Sequence, residues 1–91
     1  MGTANYPTPP DILLVIEVAE TTLQYDRHVK IPLYGRAGIP EALIFNLPDE
    51  QLEYYSQPAE GYQEHRILKR GEQFTSAAAA GLSLDVNTIL G

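Results

Sequence analysis

Hydrophobic and polar positions divide the chain into short blocks, two of which are almost uniformly apolar. The first, Asp11 to Val18 (DILLVIEV), is interrupted by one charge, Glu17. Its length and its β-branched members predict a strand buried on both faces. Glu20-Thr21-Thr22 breaks the run and offers a threonine as helix N-cap. From about Leu23 to Ala37, the apolar residues Leu23, Val29, Leu33 and Ala37 suit a helix. Pro32 should kink that helix or open the first turn of its second half. Gly38 suits the position just past a helix end, and Pro40 forbids continuation.

The second apolar block, Ala42 to Leu47 (ALIFNL), predicts another strand. A helix separates it from the first, so the two should run parallel through a right-handed βαβ crossover. Pro48-Asp49-Glu50 is a turn. Gln51 to Gln57 alternates, with Leu52, Tyr54 and Ser56 on one face, and a further turn at 58–61 leads to a second alternating stretch, Tyr62–Leu68. Those two stretches predict a hairpin. Beyond the turn at 69–72, short strands are expected near Phe74 and at Leu82–Leu84, then a terminal helical turn at Val86–Leu90. Residues 1–10 (MGTANYPTPP) read as an extended lead-in, and 11–91 as a single domain.

Composition narrows the class. A chain of 91 residues with 44% hydrophobic content supports one core and argues against disorder throughout. There is no cysteine, which excludes disulfide staples and thiolate metal sites and agrees with a cytoplasmic address. No apolar run is long enough for a membrane helix, so no membrane partner is expected. The formal net charge of −6 argues against a general nucleic-acid binder. Arg27, Lys30 and Arg36 offset that charge locally, because they place half of the six basic residues within ten positions.

Among candidate chemical groups Glu17 comes first, since a carboxylate in an apolar strand is costly to bury without a cation, a metal or solvent. Residues alone favour a strand-end carboxylate that faces solvent or pairs with Lys30. Arg27 and Lys30, three apart on a helix, share a face. Asp26 reads as a first-turn residue favoured by the helix dipole, and Tyr25 and Tyr34 as packing residues. His28 and His65 read as surface residues. Tyr54, Tyr55 and Tyr62 could stack bases, but cross-strand packing is the commoner use of such residues.

The succession "EVAETTLQYDRHVKIPLYGRAGIPEALIFNL", with "LEYYSQPAEGYQEHRIL", "GEQF" and the closing "GLSLDVNTIL", resembles the Uma-two family of restriction-endonuclease-type proteins. That family is similar to the wider PD-(D/E)XK nuclease superfamily. The resemblance covers about residues 7–90. It implies an α/β, restriction-endonuclease-like mixed sheet, with a βαβ crossover followed by antiparallel hairpin strands. It also implies that the N-terminal half of the usual fold is missing.

By this resemblance Glu17 is the strand glutamate of a catalytic metal site and Lys30 a lysine that has migrated onto the helix, since Ala19 stands where the superfamily usually has lysine. Glu17 and the Val18 backbone carbonyl would bind Mg²⁺ or Mn²⁺; apart from the resemblance, the local positive patch makes Arg27 and Arg36 the expected phosphate contacts if the chain acts on DNA. A hard cation of this kind takes oxygen ligands and activates a bound water. The family's first carboxylate has no counterpart here. Pro10-Asp11 cannot replace it, because six strand residues at about 3.3 Å each place Asp11 roughly 20 Å from Glu17. The isolated chain is therefore expected to be a weak or inactive metal-dependent endonuclease, with a catalytically dead interaction or oligomerisation domain as the alternative. An unpaired edge along DILLVIEV further predicts a homodimer.

Overall fold

A computed structural model of the chain describes residues 11–91. The expected lead-in, 1–10, lies outside the described residues. The two apolar blocks are neighbours: β1 (Leu14–Ala19) pairs in parallel with β2 (Glu41–Asn46), in register from Leu14 opposite Glu41 to Ala19 opposite Asn46. The connection is a helix in three consecutive segments, α1 (Leu23–Tyr25), a π turn (Asp26–Lys30) and α2 (Ile31–Arg36).

Pro32 accounts for the π turn. Proline has no N–H, and in a regular helix its ring would press on the carbonyl four residues earlier. Here the Ile31 N–H donates to the carbonyl of Asp26, five residues back, which widens the turn just before Pro32. Pro32 occupies the first turn of α2, the second of the two expected placements. Gly38, at φ 82°, takes the left-handed position that ends the helix, and the Ile39 N–H closes onto the Tyr34 carbonyl at 3.1 Å.

β3 (Gln51–Pro58) and β4 (Tyr62–Lys69) continue the sheet antiparallel, in the order β1-β2-β3-β4. The helix lies close over the β3–β4 turn. A methyl group built on Gly35 would stand 2.8 Å from the backbone carbon of Gly61, so this approach needs a residue without a side chain. β5 (Gln73–Thr75) and β6 (Ser83–Asp85) pair with each other as a separate two-stranded sheet rather than extending the first. α3 (Val86–Leu90) follows, capped by Asp85, whose carboxylate accepts from the Asn87 N–H at 2.9 Å.

Two hydrophobic clusters fill the two faces of the larger sheet. Ala19, Ile31, Ala42, Ile44 and Tyr55 pack under the crossover helix. Leu43, Leu52, Tyr54, Leu68, Phe74 and Val86 pack between the sheet and the β5–β6–α3 layer. The expectation of a first strand buried on both faces is corrected. Ile16 and Val18 are 43% and 59% exposed, because β1 is the outermost strand among the described residues and the second layer sits over β2–β4. The strands buried on both faces are β2, with Phe45 alone half-buried, and β3, from Gln51 to Ser56.

Candidate active site

The site grows out of the geometry of the crossover. Residues three and four apart on a helix share a face, so Arg27, Lys30 and Tyr34 all reach toward the sheet. Lys30 Nζ donates to Glu17 Oε1 at 3.3 Å, and the Tyr34 hydroxyl donates to Glu17 Oε2 at 2.5 Å. The resemblance placed Glu17 and Lys30 together, and the fold brings their charged ends into contact. Tyr34 does pack beside Ala19, Ile31 and Ile44, as a packing residue should, but its hydroxyl also holds the second oxygen of Glu17. Its spacing of four from Lys30 was the signal available for that role.

Electrostatics follow from these contacts. The hydrogen bond from Lys30 to Glu17, with the carboxylate charge itself, raises the lysine pKa, so it is an ammonium at any physiological pH. Burial and the Glu17 contact push the Tyr34 phenol up to about 12, so it stays a donor. Lys30 also lies 3.7 Å from Asp26 Oδ1 and 5.9 Å from the centre of the Tyr25 ring.

Asp26 stands in a first turn, as expected, and does more than face the helix dipole. It lies four residues before Lys30, on the face turned to the sheet, and is buried. The Thr22 hydroxyl donates to its Oδ2 at 3.1 Å, so Thr22 spends its side chain on Asp26 rather than on a backbone cap. Among the described residues Oδ1 accepts no hydrogen bond, and Lys30 is the cation facing it.

Arg27 goes to a different carboxylate. Its Nε donates to Glu53 Oε1 at 2.9 Å and its Nη2 to Glu53 Oε2. Glu53 is wholly buried and also accepts from Asn46 at 2.9 Å, Tyr55 at 3.0 Å and Gln51 at 3.3 Å. Burial alone would raise its pKa, but these donors outweigh it and bring the value down to about 2. Nothing in the pattern of β3 marks Glu53 as the centre of a buried ion pair.

The remaining candidates are dispersed. Val18 points its side chain to the face opposite Glu17 and is exposed. Arg36 is exposed in the last turn of α2 and, among the described residues, ion-pairs with no carboxylate. His28 and His65 are both exposed; His65 lies flat on Tyr55, with ring centres 4.6 Å apart. Tyr54 packs on Phe74, and Tyr55 on Tyr62.

Mg²⁺ takes near-octahedral oxygen ligands at about 2.1 Å and gives up its waters reluctantly. Glu17 offers two oxygens that already accept from Lys30 and Tyr34, and an ammonium 3.3 Å away opposes a dication. Among the described residues no group of three or more His, Asp or Glu side chains is placed to hold a metal ion. By themselves these residues do not fit Mg²⁺ or Mn²⁺.

Sheet, crossover and contacts together define a mixed α/β protein whose edge strand carries a glutamate gripped by a lysine and a tyrosine of the crossover helix. The family model Uma2, described as "Putative restriction endonuclease", matches residues 2–87, and the chain belongs to that family. No curated protein matches the chain. Among the described residues no helix is long and apolar enough to cross a membrane.

Proposed function

We propose that this chain is a restriction-endonuclease-like domain directed at DNA, in which Glu17 and Lys30 form the lysine-bearing part of a phosphodiester-hydrolysing centre. The observation that carries this reading is the contact of Lys30 Nζ with Glu17 Oε1, with Tyr34 fixing the other carboxylate oxygen. Family membership supports DNA as the substrate class. An ammonium held beside a carboxylate can stabilise charge that develops on a phosphoryl oxygen or orient an attacking water. Tyr34 fixes the carboxylate, so the pair keeps its geometry before any substrate arrives. Cleavage needs ligands beyond this set, and the centre is therefore incomplete on these residues alone.

The test is plasmid nicking with the whole chain in Mg²⁺ or Mn²⁺. Supercoiled DNA should stay intact above the buffer control. Nicking by the wild-type chain that disappears in Glu17→Ala would keep Glu17 in the centre and reject only its incompleteness, whereas nicking that persists in both Glu17→Ala and Lys30→Ala would place the chemistry elsewhere and reject the reading.

A second reading, an interaction domain that works as a homodimer, is favoured by one observation. β1 is outermost in its sheet among the described residues, and Leu13, Ile16 and Val18 are exposed there. An exposed apolar edge is a template for another chain. Size exclusion with light scattering should report about twice the 10.1 kDa chain mass. A monomer throughout the micromolar range would reject that reading.

A further inference from the structure

A second site emerges on the opposite face of the sheet. Glu41, Ser56 and Glu64 are successive cross-strand partners on β2, β3 and β4, so their side chains form one row on the face away from the crossover helix. Above this row opens a cavity of about 440 Å³, within the range of small-molecule sites. Pro40, Pro58, Ala77 and Ala78 give it apolar walls, and the Tyr54 ring closes one side.

Charge distinguishes this cavity. Glu41 is buried and, among the described residues, accepts only from neutral groups: the Ser76 hydroxyl, the Tyr54 hydroxyl at 2.5 Å, and the N–H groups of Ala77 at 3.0 Å and Ala78 at 3.3 Å. These four donors fill the acceptor sites of the carboxylate, which holds the 76–78 loop against the sheet without neutralising it. The other buried acids differ: Glu53 meets Arg27, and Asp26 faces Lys30. Among the described residues no Lys, Arg or His forms an ion pair with Glu41. Buried charges are ordinarily paired.

Glu64 adds a second carboxylate to the row, 41% exposed. Its Oε1 accepts from the Ser56 hydroxyl at 2.7 Å, and its Oε2 lies 3.7 Å from Arg66 Nε. Arg66 is spread over the Tyr54 ring, 4.9 Å from its centre. Two carboxylates and one guanidinium leave this end of the sheet one negative charge in excess, beside an aromatic ring and apolar walls.

We propose that this cavity binds a small organic cation, a guanidinium or ammonium on a short apolar or aromatic stem. Glu64 would make the direct charged hydrogen bond, since its side chain is partly exposed and, among the described residues, its Oε2 accepts no hydrogen bond. Buried Glu41 would supply field from the wall, where low polarity strengthens it. The stem would lie along the apolar walls made by Pro40, Pro58, Ala77 and Ala78. The site is independent of the Glu17–Lys30 centre, which occupies the other face.

Amide NMR on the whole chain tests this, with benzamidine as probe and benzamide as its uncharged counterpart. Benzamidine should shift the amides of Ser56, Gln57, Ala77 and Ala78 saturably, with a dissociation constant of about 1 mM or tighter. Benzamide should bind about tenfold more weakly or less, and Glu64→Gln should weaken benzamidine by a similar factor. Glu64 is half-buried, and glutamine keeps an oxygen to accept from Ser56, so that variant should retain the wild-type spectrum away from the cavity. Equal binding of both probes, shifts scattered over the acidic surface, or unchanged affinity in Glu64→Gln would each overturn the proposal.

Discussion

Glu17 and Glu53 stand in one row across the sheet, each opposite Ile44 of β2, and each meets a cation from the same helix three residues apart. They differ in depth and in company. Glu53 is sealed and held by five hydrogen bonds from four residues, with Arg27 supplying two of them. Glu17 lies on the outermost strand among the described residues, 19% exposed, held by one lysine and one tyrosine. The same acid–base chemistry is thus a clamp in the middle of the sheet and an approachable centre at its edge. Burial and position, more than residue type, separate the two.

The largest effect should come from breaking the clamp. Arg27→Ala leaves a buried carboxylate without its cation, which costs about 3–5 kcal/mol in comparable cases. Urea unfolding should show that loss, and Arg27→Lys should restore only part of it, because lysine cannot make the two parallel bonds. A cost within the range of exposed pairs would make Glu53 and Glu17 equivalent.

Acid should act next most strongly, through Glu53. Its pKa falls from 4.5 to about 2 on folding. The stability this provides is complete above the unfolded value and is lost as pH falls from about 4.5 through 2. The shift corresponds to roughly 3 kcal/mol. Stability measured down that range should fall more steeply in the wild type than in Arg27→Ala.

Gly35→Ala follows. The added carbon meets backbone of the β3–β4 turn, which cannot rotate away, and such overpacking costs about 1–3 kcal/mol. Wild-type stability in this variant would show that the helix can lift off the turn freely. Tyr34→Phe should have the smallest effect, about 1 kcal/mol for one hydrogen bond. An effect of Tyr34→Phe as large as that of Arg27→Ala would place a second clamp at the sheet edge.

The sequence pattern carried much of the architecture and only part of this contrast. Parallel β1 and β2, the hairpin of β3 and β4, and the closing α3 were legible because each rests on local periodicity and turn chemistry. The π turn was not, since Pro32 allows a kink, a new start or a widened turn, and packing chooses among them. The separate β5–β6 sheet was hidden because short strands do not announce their partners. Glu17 and Lys30 were legible through the family pattern. Glu53 was not, because its donors come from β2, β3 and the helix and meet only in the folded chain.

The most direct test of Glu17 as a self-satisfied carboxylate is an Mn²⁺ titration of the whole chain, read by paramagnetic broadening of amide resonances. With its two oxygens engaged by Lys30 and Tyr34, broadening should be weak, unsaturated to about 1 mM, and spread over the exposed acids rather than centred on β1. Saturable broadening of residues 17–19 that vanishes in Glu17→Gln would contradict it, and would mean that this chain assembles a metal centre of its own.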